Sequence, residues 1–424
     1  MFGIIRQVVR LGVFSVTLCF FVACFGAKEA VFIYPVCDLY SRCPAPEDQK
    51  VGLLPATLCW SGKSTASCLR VSQGLYGEVV EVVGDTGGDY VQVRQLNLFH
   101  QGSVKEAKVS TFWCARADFC LLESLPKDLV GKIIPKPISY EKDRKCAHEY
   151  APEKRVVQLK VPCQGLSAGT RLPIDLEKSS GDYFVALVYD PIKNKTSEVL
   201  LPKTDCTEPG FDLLAGQKQA FFVGLLNKWR ALAQKAKGRV PYLWGGRSLD
   251  EFFPEGDFEE RSLELNSLLS KSVVAYWTLR DQKKEQIKPS RDVWSGCDCS
   301  SLVVLAASIA KVPGYFCKTT TTIRALGTPL ERDAVVKPGS LLWAPGHVMV
   351  LDGDDLIETS GYSSGYGGFH KVPLCKRFKG VEGVVDLQDK LREGKKITYL
   401  TKSGLESGNP VEGCIYPLVQ SWGA

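Results

Sequence analysis

The chain has 424 residues, of which 45% are hydrophobic and 24% charged, and its formal net charge is +6 at pH 7. This length predicts roughly two to four domains, and the composition excludes fibrous and broadly disordered proteins. The mild positive charge suits work near anionic surfaces such as cell wall or phospholipid. Because no block of Lys and Arg with interleaved aromatic residues is present, we do not expect nucleic acid as a partner.

Residues 1–27 have the pattern of a secretory signal peptide. Arg6 and Arg10 precede an apolar run from Leu11 to Phe25, which Gly26 and Ala27 follow. The run is too short for a transmembrane helix of about 20 residues. Two kinds of cleavage fit: a lipoprotein processing site that leaves a lipidated Cys24, or ordinary cleavage after small residues. We therefore expect an exported protein of the periplasm or cell envelope, with lipid anchoring through Cys24 as one alternative.

The sixteen cysteines fit an exported protein, because the cytosol would keep so many thiols reduced. We therefore expect disulfide bonds, although the sequence does not determine their connectivity. Three pairs lie close together along the chain: Cys37 and Cys43, Cys59 and Cys68, and Cys114 and Cys120. A zinc site is the rival explanation, but no C-x-x-C pair occurs, and so we expect no metal.

Two segments, residues 28–131 and 146–207, have the pattern of small β domains. In the first, alternating strands on either side of the turn Gly84–Asp89 predict a β-hairpin. A similar phrase returns around Gly181-Asp182-Tyr183 in the second segment, which makes a weak internal repeat. The stretch 132–145 is rich in Lys and Pro and predicts a linker between the two domains.

The character of the sequence changes near Phe211. Apolar residues recur at helical spacing over 216–237, which predicts an amphipathic helix. The phrase Pro241–Gly246 (PYLWGG) follows. The stretch 247–293 is charged and predicts an insertion, which serves either as a lid or partner-binding segment or as surface decoration.

Cys299 is the candidate nucleophile. It stands immediately before the run Leu302–Ala310, which is apolar, free of Gly and Pro, and predicts a buried helix. Asp298 and Ser300 are residue types that begin helices. Cys299 therefore lies at a helix N-terminus, where the macrodipole and unsatisfied N–H groups favour the thiolate that a cysteine peptidase needs.

A general base must reach this sulfur. The four histidines are His100, His148, His347 and His370. His347 begins an apolar strand and is the candidate base, and Glu358 on the next predicted strand is the candidate group that orients its ring. Thr359 is the alternative orienting residue, and His370 is expected to lie too far downstream.

Five short motifs carry a resemblance to a known family. Pro241–Gly246 resembles a P-Y-x-W-G-G motif, and Asp298–Leu302 resembles a D-C-S-G-L nucleophile motif. Three further matches follow in the family's order: Leu326–Pro329, Lys337–Leu342 and His347–Leu351. The chain thus resembles NlpC/P60 cysteine peptidases that carry N-terminal bacterial SH3-like (SH3b) domains, and it is similar to γ-D-glutamyl-L-diamino acid endopeptidases of the dipeptidyl-peptidase VI type.

The resemblance implies a multidomain fold: two small all-β SH3b-like barrels followed by an α+β papain-like NlpC/P60 domain over residues 211–424. It implies that Cys299 is the nucleophile, His347 the base and Glu358 a replacement for the family's usual histidine. It further implies binding roles for four residues: Tyr242 at the oxyanion, Asp298 and Ser300 at the substrate's amine end, and Glu78 in specificity. Ser301 and Cys297 depart from the family's usual Gly and aromatic residue.

The resemblance implies an exported endopeptidase that needs neither metal nor cofactor. Its partner would be the peptidoglycan stem peptide L-Ala-γ-D-Glu-diamino acid, cut at the γ-D-glutamyl bond. One alternative is an N-acetylmuramoyl-L-alanine amidase, because related papain-like wall enzymes pair Cys and His with Glu. The other is a catalytically silent, disulfide-stabilised binding protein of the envelope.

Overall fold

The computed structural model describes residues 28–44, 70–95, 111–125, 130, 155–190, 195–236, 238–249, 253–254, 295–312, 315, 319–361 and 364–419. Within these ranges the protein is β-rich and multidomain, with a few helices. The predicted signal with Cys24, the linker at 132–145 and most of the insertion at 247–293 lie outside them. No helix in the described ranges combines the length and apolar character needed to cross a membrane.

The first region is a seven-stranded sheet in the order β3-β2-β6-β5-β4-β1-β7. Its strands are β1 (Lys28–Phe32), β2 (Val36–Tyr40), β3 (Arg70–Leu75), β4 (Val79–Asp85), β5 (Tyr90–Gln95), β6 (Thr111–Ala115) and β7 (Phe119–Leu121). Strands β4 and β5 pair antiparallel, with Asp85 opposite Val91. The hairpin predicted around the Gly84–Asp89 turn is therefore confirmed.

The second region is a four-stranded sheet in the order β11-β10-β9-β8. Its strands are β8 (Val156–Gln158), β9 (Arg171–Asp175), β10 (Tyr183–Asp190) and β11 (Lys195–Pro202). The Gly-Asp-Tyr phrase leads into β10, whose first residue is Tyr183, as the repeat predicted. The two regions nevertheless differ in strand number and order, so the SH3b-like description and the predicted domain limits stay predictions.

The third region combines helices with a five-stranded sheet in the order β19-β18-β17-β16-β22. Its helices are α1 (Ala215–Lys235), α2 (Cys299–Ile309), α3 (Thr320–Leu326), α4 (Leu374–Arg377) and α5 (Val384–Arg392). The strands of the sheet are β16 (Leu341–Ala344), β17 (His347–Asp352), β18 (Asp355–Ser360), β19 (Gly368–Pro373) and β22 (Cys414–Tyr416). Shorter strands are β12 (Gly238–Arg239), β13 (Arg247–Ser248), β14 (Phe253–Pro254), β15 (Gly296–Cys297), β20 (Ile397–Leu400) and β21 (Glu406–Val411).

The five-stranded sheet is buried on both faces because its apolar residues alternate between two cores. The helix-side core joins α1 and α2 to one face and includes Trp229, Leu302, Leu305, Val348 and Val350. The far-side core covers the other face and includes Met349, Leu351, Leu356, Phe378 and Leu387. This alternation decides on which face each polar residue of the sheet lies.

Helix α2 begins at Cys299 because Asp298 caps it. The Asp298 carboxylate accepts a hydrogen bond from the Ser301 N–H at 2.8 Å, which satisfies one of the unpaired donors of the first turn. The Ser301 hydroxyl in turn accepts from the Asp298 N–H at 2.9 Å. The predicted start of this helix is confirmed, and the cap fixes the direction in which Cys299 leaves the backbone.

The turn Trp244-Gly245-Gly246 brings the first region against the third. Gly245 has a φ of +66°, and a Cβ placed there would lie 2.8 Å from the Arg70 carbonyl oxygen of β3. A Cβ on Gly246 would lie 2.5 Å from the Gly296 carbonyl oxygen. Gly245 is therefore required for the close approach of β3, and Gly246 for the close approach of β15, which immediately precedes α2.

The expectation of disulfide bonds is not supported. All ten cysteines that the structure describes are thiols: Cys37, Cys43, Cys114, Cys120, Cys163, Cys206, Cys297, Cys299, Cys375 and Cys414. Both members of two of the pairs that lie close in sequence are among them, Cys37/Cys43 and Cys114/Cys120, and the Cys59/Cys68 pair lies outside the described residues. The physical reason is that buried cysteines such as Cys114 pack as small apolar side chains in the sheet core.

We expect Gly245→Ala to destabilise the protein more than Gly353→Ala does. Gly353 has a similar φ of +65°, but a Cβ there meets no atom within 4 Å. The control should cost about 1–2 kcal/mol for the left-handed backbone. Gly245→Ala should cost about 1 kcal/mol or more beyond that, because the β3 backbone must move. Urea unfolding measures both, and equal losses would contradict the role given to this contact.

Candidate active site

A cleft of about 220 Å³ opens above the N-terminus of α2. One wall comes from the first region, through Val71 and Ser72 of β3 and Phe112 of β6. The remaining lining comes from the third region: Tyr242, Trp244, Gly245, Arg247, Asp298, Cys299, Ser300, Ser301, Val304, Thr319, Thr320 and Gly346. The cleft therefore depends on both regions, and Cys299 is the thiol on its surface.

Cys299 is the first residue of α2 and is only 6% exposed. Its side chain packs in the helix-side core while the cleft gives access to the sulfur. The N–H groups of the first helical turn carry partial positive charge. This position is suited to a thiolate, as the sequence predicted.

His347 begins β17 and lies beside Cys299, close enough for the charge of the sulfur to act on the ring. Its Nε2 bonds to a carboxylate oxygen of Glu358, which leaves Nδ1 for the sulfur. Burial of the ring opposes its protonation, but the negative charge of Cys299 and that of Glu358 outweigh this effect and raise the pKa of His347 from 6.5 to about 10. The imidazolium is therefore the form that faces Cys299 at neutral pH.

Glu358 lies on β18 with no exposed side-chain surface. Its Oε2 bonds to His347, and its Oε1 accepts from Arg377 Nε at 2.5 Å and from His370 Nε2 at 3.0 Å. Burial alone would raise the pKa of this carboxyl, but Arg377 and the two histidines hold it well below 4.5. Glu358 therefore remains an anion that orients the His347 ring.

The alternative residue Thr359 does not take part. It lies on the opposite face of β18 from Glu358, and no described residue hydrogen-bonds to its buried hydroxyl. Glu358 shares the far-side face with Leu356, two positions earlier. The period of two in a strand therefore excludes Thr359 from the site.

The expectation that His370 lies too far downstream is wrong. Strand β19 pairs antiparallel with β18, and this register places His370 directly opposite Glu358. The seven residues between β18 and β19 determine the register, and the sequence does not specify how that connection turns. The antiparallel pairing makes residues that are twelve positions apart into neighbours.

Aromatic side chains enclose the charged groups around Glu358. Tyr366 stacks on the His370 ring at 3.8 Å, and Tyr399 makes an edge contact with the His347 ring at 6.3 Å. The Arg377 guanidinium lies 4.6 Å from the centre of the Tyr399 ring. These contacts limit the movement of both histidines and keep water away from the carboxylate.

Three of the predicted substrate-binding residues, Tyr242, Asp298 and Ser300, line the cleft and differ in their hydrogen bonds. Tyr242 lines the cleft, as expected of a group that contacts substrate. Asp298 also lines it, but its carboxylate already accepts from the Ser301 and Gly245 N–H groups. Ser300 donates its hydroxyl to Asp298 at 2.9 Å. Capping and local hydrogen bonds thus engage Asp298, and the substrate roles of all three residues stay predictions.

Glu78 lies behind the cleft wall and is absent from the described residues that line the cleft. Its carboxylate accepts from Arg247 Nη2 at 2.6 Å and from Gln95 Nε2 at 2.9 Å. The Arg247 N–H also donates to the Gln73 side chain of β3 at 2.9 Å. Glu78 therefore holds the first and third regions together, a position unlike that of a carboxylate that senses a substrate amine.

Cys297, two residues before Cys299, points into the core and is 1% exposed. Its thiol donates to the Ser248 carbonyl oxygen at 3.5 Å. Burial raises the pKa of the Cys297 thiol far above its usual range. Cys297 is thus a packed, neutral thiol, and Cys299 alone of the two lines the cleft.

No motif in the sequence pointed to Arg377, whose Nε donates to Glu358 Oε1. Arg377 ends the four-residue helix α4 and follows Glu358 by 19 residues. A buried carboxylate requires a cation, so the position of Glu358 within a mainly apolar predicted strand could have prompted a search for one. Among the described residues, no group of three or more His, Cys, Asp or Glu side chains is arranged to hold a metal ion.

No protein-family model matches the sequence, and no curated protein matches it. Among solved structures, the chain is similar to the structure of NlpC1 from Trichomonas vaginalis. The two are 10% identical, the comparison covers 84% of this chain and 90% of that chain, and the TM-score is 0.28. A likeness of this degree carries no argument about activity, so the functional conclusion depends on the site itself.

We expect Glu358→Gln to destabilise the protein on the order of 3 kcal/mol. The neutral amide leaves the buried Arg377 guanidinium without its counter-charge. Glu406→Gln is the matched control, because the Lys379–Glu406 pair is more than half exposed on both sides and should change stability by less than about 1 kcal/mol. Urea unfolding compares the two variants, and similar small losses would contradict the burial argument.

The raised pKa of His347 predicts a pH-dependent stability. A pKa raised from 6.5 to about 10 on folding stabilises the folded state fully below about pH 6.5 and no longer above about pH 10. The advantage of wild type over His347→Gln in the free energy of unfolding should therefore fall by a few kcal/mol, as an order of magnitude, across this window. A difference that stays constant from pH 6 to pH 10 would contradict the thiolate–imidazolium pair.

Proposed function

We propose that the protein is a cysteine-dependent hydrolase of amide bonds, with Cys299 as nucleophile and His347 as general acid and base. One observation carries the proposal. The thiol lies at the N-terminus of α2 in a cleft, beside an imidazole that the buried Glu358 carboxylate orients. Acyl transfer to a thiolate requires a nucleophilic sulfur, a base beside it and a group that orients the base, and these three are present.

The reaction follows from the positions of the protons. The Cys299 thiolate attacks the amide carbonyl carbon, and the carbonyl oxygen becomes an oxyanion near the N–H groups of the first turn of α2. The His347 imidazolium then gives its proton to the leaving amine as the C–N bond breaks, which leaves a thioester on Cys299. A water gives a proton to the neutral His347 and attacks the thioester, and the acid product leaves as the thiolate is restored.

At the finer level, we propose an NlpC/P60-type peptidase with a papain-like domain and SH3b-like domains ahead of it. The five sequence motifs support this proposal, because three of them coincide with local features that build the site. Asp298–Leu302 begins α2, Pro241–Gly246 contributes to the cleft, and His347–Leu351 forms β17.

The proposed substrate is the γ-D-glutamyl-diamino acid bond of a peptidoglycan stem peptide. Two features of the cleft are compatible with a short peptide: its volume of about 220 Å³ and the wall contributed by the first region. The proposed export to the periplasm or envelope, and lipid anchoring at Cys24, are supported by the signal-like residues 1–27 alone.

We expect the mature protein to release L-Ala-D-Glu from synthetic L-Ala-γ-D-Glu-diaminopimelate, as detected by mass spectrometry. Cys299→Ala should abolish release because no thiolate remains to attack. Cys375→Ala removes an exposed cysteine outside the described cleft lining and should keep the wild-type rate. Release that persists in Cys299→Ala would contradict the assignment of the nucleophile.

An N-acetylmuramoyl-L-alanine amidase is the second candidate, and the carboxylate at Glu358 favours it, since related wall amidases pair Cys and His with Glu. A muramyl peptide distinguishes the two reactions by product. The amidase would release a peptide with a free L-Ala amine, and the endopeptidase would release a fragment beginning with the diamino acid. Both substrates left intact by the folded, reduced protein would favour the silent binding protein.

A further inference from the structure

Two histidines share the single carboxylate of Glu358. His347 bonds to Oε2, and His370 Nε2 lies 3.0 Å from Oε1. Arg377 Nε binds the same Oε1 at 2.5 Å. Two donors occupy Oε1, which leaves Oε2 to bind His347. The contacts at Oε1 therefore determine the orientation in which Oε2 meets the His347 ring.

Both ring nitrogens of His370 face hydrogen-bond acceptors. Nδ1 lies 2.9 Å from the carbonyl oxygen of Gly368, which can only accept. Nε2 lies beside Glu358 Oε1, which also only accepts while the carboxyl is ionised. Each contact therefore needs a proton on the ring nitrogen, and only the doubly protonated imidazolium makes both at once.

We propose that His370 is a positioning residue of the Cys299 reaction, an imidazolium that fixes the Glu358 carboxylate for His347 and adds a positive charge to the thiolate's surroundings. This inference rests on the proposed function of Cys299 as a thiolate nucleophile. His370 acts through Glu358 and is absent from the described residues that line the cleft.

The surroundings of His370 contain opposing charges from several elements. Glu358 of β18 faces its Nε2, and Arg377 of α4 shares that oxygen. Tyr366 covers the face of the ring. His347 of β17 and Tyr399 of β20 lie on the far side of the carboxylate. Neutralising His370 thus removes a cation from a cluster that must balance Glu358 and the thiolate.

Two variants separate the position of His370 from its charge. His370→Phe keeps a flat ring against Tyr366 but loses both N–H donors. His370→Gln keeps an N–H donor within the reach of Glu358 but carries no charge. The readout is the rate at which iodoacetamide alkylates Cys299 as a function of pH, followed by peptide mapping with the exposed Cys375 as the internal reference.

We expect alkylation of Cys299 at pH 7 to slow about tenfold in His370→Phe, the loss of one charge-assisted hydrogen bond. The rate of His370→Gln should fall between those of His370→Phe and wild type. In both variants the rise of the rate with pH should move to higher pH, because removing a cation disfavours the thiolate. A purely structural role for His370 would not move this profile.

A measurement of the protonation of His370 in the wild-type protein gives a second test. In nitrogen-15 spectra at pH 7, we expect both ring nitrogens of His370 to carry protons. The chain has only four histidines, and His370→Gln identifies the signal. A bare ring nitrogen on His370 would overturn the inference.

The outcomes distinguish this inference from the proposed function. If Cys299 of the wild type reacts no faster than Cys375, the proposed function fails and the inference fails with it. If Cys299 reacts fast and both His370 variants keep the wild-type rate and pH profile, the inference alone is overturned. Slower alkylation with a profile shifted to higher pH in both variants supports it.

Discussion

Taking a carboxylate out of water costs several kcal/mol unless positive charge and hydrogen bonds replace its hydration, and the Glu358 side chain has no exposed surface. Arg377, His370 and His347 supply that replacement from three other elements, α4, β19 and β17. Each of these side chains is in turn fixed by the carboxylate. The burial of one anion therefore determines the arrangement of the sheet's polar end, and with it the orientation of the ring that meets Cys299.

The cleft depends on a second constraint, the contact between the first and third regions. Arg247 links the two through Glu78 and Gln73, and Gly245 lets the backbone of β3 approach closely. The first sheet is thus part of the cleft, with Val71 and Phe112 in its wall. The Glu78 carboxylate, which the sequence suggested as a substrate-binding group, binds Arg247 and so helps to hold this wall in place.

The local elements of the site could be predicted from the sequence because they follow from short-range rules. Asp298 and the apolar run after it specify α2, and short apolar runs specify β17 and β18, so Cys299, His347 and Glu358 follow from them. The partners His370 and Arg377 could not be predicted in this way. They reach Glu358 through strand register and a short helix, which depend on tertiary packing.

The expectation of disulfide bonds came from composition, and the structure does not support it. Cysteine number and an apparent signal peptide predicted cross-links, but the ten described cysteines are thiols, and several of them pack as small apolar side chains in sheet cores. Composition does not determine the distance and direction between two Cβ atoms that a disulfide needs. The sequence position of Glu78 likewise did not reveal that Arg247 would bind its carboxylate.

The most direct test of the central claim is the selectivity of thiol alkylation in the wild-type protein at neutral pH. Cys299 is nearly buried and Cys375 is exposed, so accessibility alone would make Cys375 react first. If Cys299 is a thiolate paired with the His347 imidazolium, iodoacetamide will modify Cys299 first, and His347→Gln will abolish this preference. Preferential modification of Cys375 in the wild type would contradict the account.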